Sequence, residues 1–286
     1  MPRVSVLMPV YNVNKQYLRE SIESILNQTF TDYEFIIIDD GSDENIEDIV
    51  NSYNDSRIRF YRNEKNLGVA KTRNRLLDLA TGEYLANQDA DDISLPERLQ
   101  TMVDFLDNNP NVGVCGCNIK MIPENNELHY PEHVDFLGML NGGSMANPTL
   151  MFRKEILEKY SLKYDEAFVS AEDYNLLSKL IKVCNLYNIQ KVLLHYRNTA
   201  GSLSKNPITH LYDNKTKNEM IIFLTKDPIL QKKILKLVNK HYNKTNFFKW
   251  LFSITNYYTG IEKHKCIQAC GIKIKFYCKQ PFWEDK

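Results

Sequence analysis

The stretch LANQDADDISLPERL, Leu85 to Leu99, crowds three carboxylates, Asp89, Asp91 and Asp92, between a short apolar run and the start of a helix. Like charges at that density repel one another, so something positive is expected to offset them. A hard cation does so: Mg²⁺ or Mn²⁺ is commonly held by one or two carboxylates together with the oxygens of a substrate diphosphate. A second acidic pair, Asp39-Asp40, precedes Gly41-Ser42, and a cationic run, KTRNR, fills 71–75. A carboxylate there can accept from the N3–H of uracil or from ribose hydroxyls, and Arg73 can pair with a base carbonyl or a phosphate. Each piece also has a plainer reading. Asp39 to Ser42 reads as a turn with a helix cap, Asp89 to Asp92 as a solvated loop with an N-cap, and Arg73 as a surface residue. Their order and spacing together are more specific than any of them alone.

Alternating strands and helices must position these groups. Apolar runs at Val4–Met8, Phe35–Ile38, Ile58–Tyr61, Tyr84–Ala86 and Val112–Cys115 read as buried strands. Leu18, Ile22 and Ile25 repeat at helical spacing, as do Ile46, Ile49 and Val50, and then Leu76, Leu77 and Leu79-Ala80 before Thr81-Gly82. The first 115 residues therefore predict a doubly wound α/β unit. SLPE at 94–97 predicts a helix with Ser94 as N-cap, Pro96 in the first turn and Glu97 at the capping-box position. The acidic run then lies on a loop between a strand end and a helix start, where open α/β sheets bind ligands. From 118 to 150 the chain turns irregular. Helices are expected at 153–160 and from SAED (170–173) to Val183, with a strand at Val192–His195.

Several classes are excluded. No GxGxxG follows the first strand and no GxxxxGK[ST] occurs, so neither a dinucleotide-binding Rossmann unit nor a P-loop is present. The acidic loop is no EF-hand, because Ser94 stands where the turn glycine is required. Hydrophobic content of 43% and charged content of 25% describe a globular chain. The N-terminus shows no secretion signal, no apolar run approaches the roughly 20 residues of a membrane-spanning helix, and no nucleic-acid partner is expected. Six cysteines lack paired metal spacing, which fits packed free thiols in a reducing cytoplasm. His129 and His133 are four apart, but Pro131 between them argues for a loop near an acceptor over a shared helical face. Residues 231–279 hold eleven lysines against Glu262 alone, with FFKWLF inside the stretch. Two readings stand for it: a peripheral anchor on an anionic membrane surface, or a basic helical cap.

The run VSVLMPVYN, SILNQTF, FIIIDDGSDE, NLGVAKTRN, GEYLANQDADDI and P.RL resembles glycosyltransferase family 2, inverting enzymes with the GT-A fold. NPTLMFRKEIL, YDEAFVSAEDYNLLSKL and YRNTAGSLS extend the resemblance, which covers residues 1–205; a basic helical extension is expected over 206–286. It looks closest to bacterial enzymes that extend lipooligosaccharide or capsule chains with β-linked N-acetylglucosamine or galactose. The resemblance implies a GT-A Rossmann-like mixed sheet flanked by helices, a UDP-sugar donor, a saccharide or lipid-linked saccharide acceptor, and Mn²⁺ or Mg²⁺ as cofactor. It implies Pro9, Tyr11, Asp39, Asp40, Arg73, Asp89, Ala90 and Asp91 in donor binding, with Tyr11 against the base. Asp89 and Asp91 fill the D-x-D, Asp91 being the metal contact with Asp92 beside it. Glu172-Asp173 matches the family's acidic pair, whose aspartate is the general base, and SAED also has the form of a capping box. Arg197, Thr199 and Ser204 are candidate diphosphate or acceptor contacts. Many relatives carry a histidine two residues after the arginine of the YR motif; here that position is Thr199, and His195 is not an aligned substitute. A nucleotide-sugar-forming nucleotidyltransferase and an inactive sugar-binding module are the rival readings.

Overall fold

The computed structural model describes residues 1–140, 145–199 and 207–225. The elements are β1 (Val4–Val10), α1 (Lys15–Leu26), β2 (Tyr33–Asp39), α2 (Glu47–Asn51), β3 (Ile58–Arg62), α3 (Val69–Leu79), β4 (Tyr84–Asn87), β5 (Ile93–Ser94), α4 (Arg98–Asn108), β6 (Val112–Ile122), β7 (Glu127–Leu128), β8 (His133–Val134), α5 (Phe136–Leu140), β9 (Met151–Arg153), α6 (Lys154–Lys159), α7 (Glu172–Leu180), β10 (Asn185–Arg197) and α8 (Pro207–Thr225). A mixed sheet runs β3-β2-β1-β4-β9-β6-β10-β5. β3, β2, β1 and β4 are parallel, β9 is antiparallel to β4 and β6, and β10 is parallel to β6. Two compact units, 1–212 and 213–286, divide the chain. The Lys-rich stretch 231–279, Cys266, Cys270, Cys278 and Ser204 lie outside the described residues.

Both sheet faces are covered, which is why β1 and β2 read as continuous apolar runs with no alternation. Val4, Val6, Met8 and Val10 of β1 join Phe35 and Ile37 of β2 in one core with Leu18, Ile22 and Ile25 of α1 and Leu99, Met102, Val103 and Leu106 of α4. Leu7, Ile36 and Ile38 are equally buried outside that cluster, and α3 lies against β1 and β2. Pro9 is tolerated inside β1 because of where β4 stops. The rungs to β4 end at Leu7, whose carbonyl takes the Gln88 N–H, and Val10 bonds across to β2. Pro9 therefore turns its missing donor toward a side with no further rung.

The 118–150 region is less irregular than the sequence suggests. β6 continues to Ile122, and the run Leu150–Arg153 contains β9, three residues inserted between β4 and β6. The helix expected from Arg153 starts one residue later, because Arg153 belongs to β9 and buries its guanidinium on the carbonyls of Val112 (2.9 Å) and Leu106 and on the Tyr84 hydroxyl (3.2 Å). The capping box foreseen at 94–97 does not form. Residues 93–94 pair with β10 instead, and α4 begins at Arg98 without a side-chain cap.

Glu34 ties the sheet to the turn after α3. Its carboxylate accepts from Ser5 Oγ, the Thr81 N–H and Thr81 Oγ1, each at 2.7 Å, and from Arg59. Burial pushes this carboxyl up, but those donors outweigh it and hold Glu34 below the ordinary value. A carboxylate with a depressed folded pKa contributes stability above its unfolded pKa and loses it as the pH falls through the folded one. Glu34→Gln is expected to cost about 1–3 kcal/mol at pH 7, with the gap to wild type narrowing below about pH 4. Urea unfolding at both pH values checks this, and a gap independent of pH refutes it.

Candidate active site

The acidic loop leaves the sheet at the C-terminal end of β4. Its backbone is gripped from the core by Gln88, whose Nε2 donates to Ser21 Oγ (3.0 Å) and to the carbonyls of Asp89 (3.2 Å) and Asp92 (2.9 Å), while Ser21 Oγ donates to the Asp89 carbonyl (2.9 Å). Ala90 is buried. Asp89 accepts from Arg73 Nη2 at 2.9 Å. Burial, and then the neighbouring Asp89, push the Asp91 carboxyl up to about 6. Asp92 is 1% exposed; its Oδ1 accepts the Arg197 N–H at 2.8 Å and its Oδ2 is buried without a hydrogen-bond partner. Burial first, then Asp89 and Asp91, hold Asp92 well above the carboxylate range.

The structure places Arg197 on the loop itself. Its Nε donates to the Asp91 carbonyl (2.8 Å), its Nη2 pairs with Glu20 of α1, and its plane stacks 4.0 Å from the Tyr17 ring centroid. Thr199 lies half-buried two residues past β10. His195 sits within β10, opposite Ile93 and Lys120, and burial followed by Lys120 lowers its pKa. His133 lies in β8, edge-on to Tyr187, and His129 just past β7, beside Asn118.

At the ends of β1 and β2, Tyr11 is 50% exposed, whereas Asp39 and Asp40 are buried. Asp39 accepts from the Ser42 N–H (2.9 Å) and from Arg62 (2.7 Å). Asp40 accepts from Asn63 Nδ2 (2.6 Å) and the N–H groups of Leu67 (2.9 Å) and Gly68 (3.0 Å). Asp40 thus wraps residues 63–68 around itself, leaving one of its roughly four lone-pair sites for a ligand donor.

α3 carries Arg73 into the interior. Its Nε donates to Glu172 Oε1 at 3.2 Å while Nη2 holds Asp89, so one guanidinium links the acidic loop to the start of α7. Burial works against the charge, but Asp89 foremost, then Tyr164 and Glu172, hold it above its ordinary value. Glu172 is itself raised by burial and by Asp173, with Arg73 opposing. Asp173 is half-buried and accepts the Tyr174 N–H at 2.7 Å. The capping box read from SAED is absent: Ser170 Oγ bonds Thr209 Oγ1 (2.7 Å), and the N-cap is Ala171 in the left-handed region at φ 57, ψ 25.

Of the expected acids, Asp39 and Asp40 thus lie at the end of β2 and Asp89, Asp91 and Asp92 follow β4, while Arg73 ties Asp89 to Glu172 at the start of α7. Missed were Gln88, Ser21, Glu20 and Asn63, polar residues whose single-sequence signal is weak because each acts through a backbone carbonyl or another side chain. Among the described residues no three His, Cys, Asp or Glu side chains form a ready metal cage. The donor set is all oxygen and includes a buried carboxylate oxygen without a partner, which suits a hard cation completed by substrate oxygens.

Solved structures share the architecture. TarS of Staphylococcus aureus, residues 1–349 in complex with UDP-GlcNAc, superposes with a TM-score of 0.70 over 86% of this chain and 75% of that one at 21% identity. A mannosyltransferase of Pyrobaculum calidifontis in complex with GDP-Man and Mn²⁺ does so at 0.63, covering 94% and 84% at 18% identity. The fold is GT-A. Residues 5–171 match Glycosyl transferase family 2, and the chain belongs to that family and is a glycosyltransferase. It is 36% identical to the uncharacterized glycosyltransferase MJ1057 of Methanocaldococcus jannaschii over 75% of this chain and 79% of the relative. It is 29% identical to the UDP-Glc:α-D-GlcNAc-diphosphoundecaprenol β-1,3-glucosyltransferase WfgD of Escherichia coli, over 73% and 82%. Family membership sets the nucleotidyltransferase reading aside.

Ala171 provides a test of the local geometry. A non-glycine residue in the left-handed region costs about 1–2 kcal/mol, so Ala171→Gly is expected to keep or raise stability by up to about 1 kcal/mol. Ala171→Val should lower it by more than about 1 kcal/mol and impair turnover by displacing Glu172 and Asp173. Thermal unfolding checks both; equal melting of the two variants refutes the assignment.

Proposed function

We propose that the chain transfers a hexose such as glucose, N-acetylglucosamine or galactose from a UDP-sugar to a hydroxyl of a lipid-linked saccharide, in building a surface polysaccharide or lipooligosaccharide. The observation that carries this is the Arg73 guanidinium joining Asp89 of the acidic loop to Glu172 beside Asp173. Carboxylates suited to the donor and to the acceptor thereby belong to one site. The relative WfgD, by its name, uses UDP-glucose and a diphosphoundecaprenol-linked acceptor, which supports the donor and acceptor classes. A lipid-linked acceptor calls for work at the cytoplasmic face of a membrane; no helix among the described residues is long and apolar enough to cross one.

In this reading Tyr11 lies against the base, Asp40 and Asp39 hold the uracil end, and the acceptor hydroxyl gives its proton to Asp173. The hydroxyl oxygen then attacks the anomeric carbon on the face opposite the diphosphate, whose bond to the sugar breaks, and one displacement inverts that carbon. Asp173 suits the base better than Glu172, whose carboxylate is buried and held by Arg73. A Mg²⁺ or Mn²⁺ ion would be held by Asp91 with Asp89 and Asp92 beside it, and would supply electrostatic stabilisation to the departing diphosphate.

Incubation with Mn²⁺ and a panel of nucleotide sugars should release UDP slowly from one UDP-sugar. EDTA and Asp91→Asn should each remove most of that release with the fold intact. Release from no donor overturns the reading, and full activity in EDTA overturns its metal. Asp173→Asn is expected to slow turnover roughly 10²–10⁴-fold with near-normal donor binding, and Glu172→Gln to be milder. Near wild-type turnover in Asp173→Asn would move the base to Glu172.

A further inference from the structure

Tyr11 stands between two residues that are both tied to the loop after β2. On one side the Val10 carbonyl takes the Asp40 N–H at 2.8 Å. On the other, Asn12 makes three bonds to Ser42 and Asp43: its N–H donates to Ser42 Oγ (3.0 Å), its Nδ2 donates to Asp43 Oδ2 (2.9 Å), and its Oδ1 accepts the Asp43 N–H (2.9 Å). Ser42 is held in turn, its N–H donating to Asp39 Oδ1 (2.9 Å) and its carbonyl accepting from Arg62 Nη2 (2.8 Å). The pair Asn12–Asp43 is therefore continuous with the buried acids at the end of β2. Asn12 lies in the left-handed region at φ 48. Asparagine tolerates that region better than most residues, but it persists only where the surroundings fix it. Here the fixing side chains are exposed, where hydrogen bonds compete with water and add little to folding. What they do determine is the course of the chain through Tyr11, which stays 50% exposed. An aromatic side chain offered to solvent on a fixed backbone, where Val10 pairs with Asp39, suits stacking on a flat base.

We propose that Asn12 and Asp43 are positioning residues for the donor's base, a reciprocal latch that holds Tyr11 ready to stack on it. Fixing the ring in advance lowers what the nucleotide must order on binding, so the latch sets affinity for the nucleotide. The proposal rests on the reading of Tyr11 as the residue against the base.

The test is UDP binding by titration calorimetry on the full chain, with Mn²⁺ present throughout. Wild type is compared with Tyr11→Ala, with Asn12→Asp, and with Asn12→Asp combined either with Asp43→Asn or with Tyr11→Ala. Tyr11→Ala is expected to weaken UDP binding about five- to hundredfold, the range of one base–aromatic stack. Asn12→Asp keeps the backbone preference but sets two carboxylates face to face, and should weaken binding about three- to tenfold. Exchanging the two side chains, Asn12→Asp with Asp43→Asn, restores both side-chain bonds with the amide now donating from position 43. Binding should then return to within about twofold of wild type. In the Tyr11→Ala background Asn12→Asp should cost almost nothing further, because the latch acts through the ring; a merely structural loss would add to that of Tyr11→Ala. Wild-type affinity in Asn12→Asp, no recovery on exchange, or additive losses would each overturn the proposal. Should Asn12→Asp fail to fold, the exchanged variant decides: wild-type affinity supports the latch, and a loss of about tenfold or a failure to fold overturns it. Unchanged binding in Tyr11→Ala, or a wild type that binds no UDP, removes the base reading and the proposal with it. A weakened Tyr11→Ala beside an unaffected Asn12→Asp removes the latch alone.

Discussion

Charge balance at the end of β4 is the constraint that the rest of the structure serves. Three carboxylates within four residues stand at a partly buried loop, and three arginines reach it: Arg73 by a side-chain ion pair, Arg197 through the loop's backbone, and Arg98 from the core. Delivering them requires α3, α4 and β10 to converge on one loop. The sheet order achieves this, because β5 follows the loop directly and pairs with β10 at Leu194 and His195, two residues before Arg197. The Asp91 and Asp92 carboxyls are nonetheless raised, by burial first and by their acidic neighbours second.

The acids at the end of β2 work by a different principle. Asp39 and Asp40 act as anchors for backbone, with Asp40 drawing in residues 63–68 that lead into α3. Gly41 is required there, since at φ +71 a Cβ would come within 2.6 Å of the Lys65 carbonyl carbon. A rigid floor results, with Tyr11 and Leu67 left partly exposed at its margin. Ordering this loop in advance reduces what a ligand must order on binding.

Much of the fold was legible because β1, β2 and β4 are buried on both faces and write their location as apolar runs, and because α1, α3 and α4 carry a stripe at helical spacing. The acids were legible because they sit at strand ends. What was not legible depends on which side chains the fold brings together. Ser94 and Ser170 look like helix caps locally, but Ser94 Oγ is taken by Gln88 and Arg98 and Ser170 Oγ by Thr209. β9 is too short to show a period, and it exists because β4 and β6 each lack a neighbour on that side. Arg73 looked like a surface residue or a ligand contact, and its burial between Asp89 and Glu172, ninety-nine positions away, follows from tertiary structure alone.

That bridge also separates the two members of the Glu172-Asp173 pair. Adjacent carboxylates in the first turn of α7 repel each other, and the positive end of the helix favours their ionised forms. Arg73 breaks the symmetry by pairing with Glu172, which leaves Asp173 as the half-exposed member. Because the same guanidinium holds Asp89, a substitution in the acidic loop also alters how firmly Glu172 is held. Two stretches of the chain far apart in sequence are thereby coupled through a single buried cation.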